Sequence, residues 1–207
     1  MEINVLEMFN SISGEVSPYY QGCPTTFIRF AGCNLNCSYC DTPTAHNKGT
    51  VWEEKHLIPA LSKLFKQTGR LCITGGEPMV QHHAVFYLIK KYPKCWIETN
   101  GTFDFNSLIK LIGIVADYKL DDMERIPYYF YNLLGCDFVK FVIGNEVQFQ
   151  EAIEIQRTLQ IGGCKANFAY SPMFDEISPN KLFSWMKKSM LPNTIMNIQI
   201  HKYLGMK

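Results

Sequence analysis

Apolar and polar positions along this chain come in short bursts that switch between a period of two and a period near 3.6. Runs rich in Ile, Val, Phe and Tyr, bounded by Gly, Asn or Asp, predict strands at Ile3–Phe9, Thr25–Phe30, Leu71–Thr74, Cys95–Thr99, Ile114–Tyr118, Phe138–Ile143, Cys164–Tyr170 and Ile195–Ile200. Helical spacing fills the gaps. Leu57, Leu61, Leu64 and Phe65 mark a helix in His56–Lys66, where Pro59 is acceptable only in the first turn. Val85, Leu88 and Ile89 mark another within Val80–Lys91. Asn145 with Gln148 three residues on reads as a capping box for a helix through Ala152, Ile155 and Leu159. Ser178 before Pro179 caps a helix through Leu182, Phe183 and Met186.

Strands alternating with helices imply a parallel sheet with crossover helices, an α/β fold. A closed eight-fold barrel needs roughly 250 residues. With 207 residues, and about 30 for each βα unit, the chain has room for about six units. The expectation is an incomplete, TIM-like barrel. Neither an internal repeat nor a Pro/Ser-rich linker interrupts the pattern, so residues 1–207 read as a single domain. Ligands in such folds sit at the carboxyl ends of the strands, and functional motifs should follow strands.

Composition narrows the class. Apolar residues make up 47 %, too many for a disordered chain. Lys plus Arg number 20 against 19 for Asp plus Glu, a net charge of +1 that speaks against nucleic acid as a partner. No apolar run approaches the roughly 18 residues of a membrane span. The opening Met1–Glu7 has two acids and no basic stretch, so no secretory leader is expected and the cytoplasm is the expected location. Eight cysteines are too few for a disulfide scaffold, and in a reducing compartment a cysteine cluster reads as a ligand set.

Three of those cysteines, Cys33, Cys37 and Cys40, lie in a loop after the strand Thr25–Phe30. Thiols spaced CxxxCxxC can converge on one centre. Beside Asn34, Asn36 and Ser38 they make poor core material. A structural zinc would need a fourth ligand, which His46 or Cys23 could supply, and this leaves a zinc-stabilised binding module open. A [4Fe–4S] cluster with three protein thiolates would leave one iron free for a further ligand, and so for chemistry.

The same spacing after a strand resembles the cluster motif of the radical S-adenosylmethionine (SAM) enzymes. The resemblance implies that SAM chelates the open iron and that an electron cleaves it to a 5′-deoxyadenosyl radical. Thr74-Gly75-Gly76-Glu77-Pro78 looks like the family segment at the methionyl amino group of SAM, which assigns Gly76 and Glu77. Further SAM contacts implied are Tyr39, Asn100, the run Asp117-Tyr118-Lys119, and Ser171-Pro172-Met173.

Three segments sharpen the likeness: Phe9–Glu15, Gly22–Cys33 and Gln199–Gly205. Together they resemble the 7-carboxy-7-deazaguanine synthase family, from residue 5 to residue 205. The implied substrate is 6-carboxy-5,6,7,8-tetrahydropterin, which loses ammonia as its ring contracts, on the path to queuosine. By this resemblance Thr42 holds Mg2+, Arg29 the substrate carboxylate, and Ile12, Ser13, Gly14, Thr74 and His201 the pterin. An external electron donor such as a flavodoxin or ferredoxin and a homodimer are also implied. Ser13 and Val16 depart from the family's usual Gln-Gly-Glu-Gly, which removes a side-chain hydrogen bond to the pterin. A glycyl-radical-enzyme activase shares the cysteine motif and is the enzymatic alternative.

Overall fold

The computed structural model describes all residues except Asp122, Met190 and Lys207. One nine-stranded sheet runs in the order β3-β1-β2-β4-β5-β6-β7-β8-β9. Its strands are β1 (Glu2–Ile12), β2 (Pro24–Phe30), β3 (Thr50–Glu53), β4 (Leu71–Gly75), β5 (Cys95–Thr99), β6 (Gly113–Asp117), β7 (Phe138–Ile143), β8 (Asn167–Pro172) and β9 (Thr194–Met196). From β2 through β9 the neighbours are parallel; β1 runs antiparallel to both β2 and β3. Among the described residues no ladder joins β3 to β9, so the TIM-like barrel is open.

Six crossovers link the seven parallel strands, and four carry an α-helix: α1 (Glu54–Thr68), α2 (His82–Lys91), α3 (Glu146–Ile161) and α4 (Pro179–Met186). The other two are spanned by 3₁₀ turns at Asn106–Leu108 and Tyr128–Asn132, which is how the fold fits a short chain. Asn145 caps α3 by accepting from Gln148 N at 3.0 Å. The reciprocal half of the capping box is absent, because Gln148 Oε1 turns to Gly144 N. Ser178 caps α4 through Lys181 N.

Several boundaries differ from the sequence reading. Pro59 sits past the first turn of α1, where its ring forfeits one backbone N–H. The expected helix from Val80 begins as a 3₁₀ turn, Pro78–Gln81, and becomes α-helical only at His82. The strand expected from Cys164 starts at Asn167, because Cys164 N still donates back to Leu159 O at the exit of α3. The strand expected over Ile195–Ile200 ends at Met196 and is followed by α5 (Ile200–Tyr203), fixed where Ile200 N donates to Gly14 O.

Side chains on a strand alternate between faces. The outer faces bury Ile28, Ile73, Ile97, Ile114, Val139 and Phe168 under the helices. The inner faces bury Phe27, Cys72, Trp96, Val115, Phe138 and Ala169 around Val16, which the β1–β2 connection delivers into the barrel with Tyr19. Two residues beyond each inner apolar position stands a polar one: Arg29, Thr74, Glu98, Asp117, Lys140 and Ser171. An apolar plug therefore carries a polar tier at the carboxyl ends of the strands. No helix among the described residues is long and apolar enough to cross a membrane.

Candidate active site

Above the polar tier lies a cavity of about 600 Å³. Cys33, Cys37 and Cys40 all line it, on the loop that leaves β2. That loop is tied down by Gly32 N donating to Ala45 O and by Cys40 N donating to Cys37 O. Gly76 packs against it so closely that a Cβ there would fall 2.3 Å from Gly32 O and 2.7 Å from Cys33 Cβ. Asn100 Nδ2 points at Cys33 Sγ, 3.9 Å away. Three thiols on one wall with an amide donor beside them suit a cluster ligated by three thiolates. Of the two candidate fourth ligands for zinc, His46 lines the cavity, whereas Cys23 donates to Tyr19 O, away from it.

Arg29 reaches the cavity from β2. Its Nη1 donates to Thr42 Oγ1 at 3.1 Å, and that hydroxyl donates to Asp41. Thr74 donates to Glu98 Oε2 at 3.2 Å. Burial, then the negative charge of Glu15, pushes the Glu98 carboxyl above the usual range. His201 leans on Gly14, where any Cβ would lie 2.0 Å from its Nδ1. Ile12, Gly14 and His201 all line the cavity.

A chain of charges crosses the floor. Lys119 Nζ lies 2.9 Å from Asp117 and over the Tyr39 ring. Lys140 Nζ bridges Asp117 at 3.2 Å and Glu15 at 2.8 Å. Glu15 also accepts from Asn197 and Gln199. Burial would raise its pKa, but Lys140, the Gln199 hydrogen bond and the charge of His201 together outweigh burial and hold it at about 2. Asp117 Oδ1 is buried without a hydrogen-bond partner among the described residues. In a cavity wall, an orphaned acceptor of this kind suits a ligand's hydroxyl or ammonium group, and SAM carries both. Glu15, Asp41 and His201 each bring a potential ligand atom within 4.8 Å of the others, a set able to hold a metal ion.

Lys140→Met is expected to lower stability by about 3–5 kcal/mol at pH 7, because it leaves the largely buried Glu15 carboxylate without its lysine, while Asp117 keeps Lys119. Glu15's contribution is complete above its unfolded value of 4.5 and is lost as pH falls through about 2. The gap between variant and wild type should therefore narrow as urea unfolding is repeated from pH 7 down to pH 3. A gap independent of pH would show that Lys140 is not coupled to these carboxylates.

Five residues singled out from the sequence do not line this cavity. Ser13 is buried and donates to Glu15 O. Tyr118 packs edge-on against Phe130 in the outer core. Ser171 accepts from Asn197 at 2.7 Å, and Pro172 borders a neighbouring pocket. Glu77 points away, accepting from Met79 N at 2.8 Å, Thr99 Oγ1 at 2.9 Å and Asn100 N at 2.6 Å. Burial raises it to about 7 despite those donors. It is a strut between the β4 and β5 loops. Tyr39, Gly76, Asn100, Asp117, Lys119 and Met173 do line the cavity. Sequence reasoning gives no role to Glu15, Glu98 or Lys140. The signal for the last two is a charged residue two places past an inward apolar one in the strands CWIET and FVKFVI.

A cysteine triplet at the mouth of an open parallel barrel, over a polar floor, defines a radical SAM protein. A family model described as Radical SAM superfamily matches residues 27–128. At the level of fold, the crystal structure of QueE from Escherichia coli superposes with a TM-score of 0.72 at 20 % identity, over 96 % of this chain and 94 % of that one. The 7-carboxy-7-deazaguanine synthase of Clostridium acetobutylicum is 34 % identical over 99 % of this chain and 96 % of its own. The enzyme of the same name from Archaeoglobus fulgidus is 30 % identical, end to end in both. The chain belongs to the 7-carboxy-7-deazaguanine synthase family.

Proposed function

We propose that this protein converts 6-carboxy-5,6,7,8-tetrahydropterin to 7-carboxy-7-deazaguanine with release of ammonia, as a radical SAM lyase in queuosine biosynthesis. The observation that carries this reading is the shared cavity: the Arg29 guanidinium and the Thr42 hydroxyl, 3.1 Å apart, line the space that Cys33, Cys37 and Cys40 also line. A carboxylate-binding fork beside a three-thiol set suits a small carboxylated substrate held next to a radical source.

When bound, a [4Fe–4S] cluster and SAM supply a radical that takes hydrogen from the substrate. The chain's own residues hold and orient. Cys33, Cys37 and Cys40 ligate the cluster, and Asn100 Nδ2 donates toward Cys33. Gly76 lets the backbone approach SAM, and Tyr39, Asp117, Lys119 and Met173 supply side chains around it. Glu77 acts through the backbone it braces. Arg29 binds the substrate carboxylate. Thr42 offers a hard oxygen to Mg2+, beside that carboxylate. Ile12, Gly14, Thr74 and His201 bound the ring. The set is read as one domain, residues 1–207, working as a homodimer in the cytoplasm with a flavodoxin or ferredoxin as electron donor. Full-length likeness to enzymes named for a small-molecule product argues against a glycyl-radical activase, and the polar catalytic floor argues against a zinc-stabilised module.

The test is an anaerobic incubation with SAM, Mg2+, a reductant and 6-carboxytetrahydropterin, followed by mass spectrometry. The expected product is lighter than the substrate by one ammonia, with SAM regenerated. SAM cleavage without that product would discard the substrate and keep the class. Zinc without iron or sulfide in protein purified anaerobically would discard the class.

A further inference from the structure

The β1–β2 ladder slips by one residue between Val5 and Glu7, so that Val5 faces Phe30 and Glu7 faces Arg29. Bulges of this kind re-aim a side chain. Here the result is a direct cross-strand pair: Arg29 Nε donates to Glu7 Oε1 at 3.1 Å, with the two side chains 18 % and 29 % exposed. Arg29 is clamped on two further sides, by Thr42 Oγ1 on Nη1 and by the Phe9 ring, 5.9 Å from the guanidinium carbon.

A guanidinium presents five N–H donors in a rigid fork. A carboxylate can take it side-on, through Nε and Nη2, or end-on, through Nη1 and Nη2. Glu7 already holds Nε, so the side-on edge is taken. Nη1 gives one hydrogen to Thr42 and keeps a second, and among the described residues Nη2 has no hydrogen-bond partner. Resting on the reading of Arg29 above, we propose that Glu7 is a positioning residue that restricts Arg29 to its end-on edge. The substrate carboxylate is thereby seated beside the Thr42 hydroxyl. Selectivity for a carboxylated ring then depends on a residue that never touches the ring. Without Glu7 the fork is free to rotate and to accept a carboxylate on either edge, at the cost of ordering it anew.

The test is fluorescence titration of the cluster-loaded protein, with SAM present, using two unreactive oxidised ligands: 6-carboxypterin and unsubstituted pterin. Glu7→Ala is expected to weaken 6-carboxypterin binding about tenfold and leave pterin binding unchanged, since one charge-assisted contact is at stake. Glu7→Gln keeps an acceptor for Nε and should stay within about threefold of wild type. Glu7→Asp, drawn back by one methylene, is the second variant if the alanine protein does not fold, with the same tenfold loss expected. Unchanged selectivity in Glu7→Ala or Glu7→Asp overturns the proposal, and so does an equal loss for both ligands. Wild-type protein that prefers neither ligand would instead sink the functional reading itself.

Discussion

Cys37→Ala is expected to give a folded protein with no iron–sulfur cluster and no SAM cleavage. Cys37 sits mid-loop between Cys33 and Cys40, half-buried at the cavity wall rather than in either apolar cluster. On the proposed ligand set, removing its sulfur deletes one of three ligands, and two thiolates are too few to hold four irons. The fold loses little, because surface-loop substitutions usually cost within about 0.5 kcal/mol. Iron and sulfide analysis with visible absorption reads the first part, and thermal unfolding of the apo proteins reads the second. A variant that retains the wild-type iron content would remove Cys37 from the ligand set.

Arg29→Ala should act on the substrate alone. Its expected loss is about a hundredfold to a thousandfold in kcat/KM for the carboxylated pterin, the scale of a buried charge pair broken on one side. SAM cleavage in the absence of pterin should stay near the wild-type rate, since Arg29 touches Glu7, Thr42 and Phe9 and none of the three thiols. The informative comparison is the ratio of the two rates in the same preparation. If both fall together with iron content, Arg29 is part of the scaffold for the cysteine loop and not a substrate clamp.

Much of the barrel is legible because each parallel strand buries both faces and therefore reads as a dense apolar burst between turn residues. The cysteine loop is legible too, since thiol spacing survives as plain sequence. Other parts are hidden for identifiable reasons. β3 is four residues, three of them with exposed side chains, and pairs with β1 at the edge of the sheet. Asn197 and Gln199 reach Glu15 across more than 180 positions, and no local pattern announces such a pairing. Glu77 follows two glycines that look like a ligand loop, yet the turn sends its carboxylate to three donors behind the cavity. At Ser13 the short hydroxyl satisfies itself on the Glu15 carbonyl. Glu98 and Lys140 were within reach: a charge inside a strand that is otherwise buried must face something other than core.

The bonds that join the β1–β2 connection to the chain's last segment have a kinetic meaning. Val16 N donates to Asn197 Oδ1, and Ile200 N donates to Gly14 O. Each closes a loop of about 180 residues, for which the entropy of closure is about 4–5 kcal/mol. From β4 to β9 the sheet pairs strands that are neighbours in sequence, at much lower cost. The β1–β2 connection and the chain's last segment are therefore expected to meet late as the chain folds and to part early when it opens. A molecule can keep its barrel and lose its site.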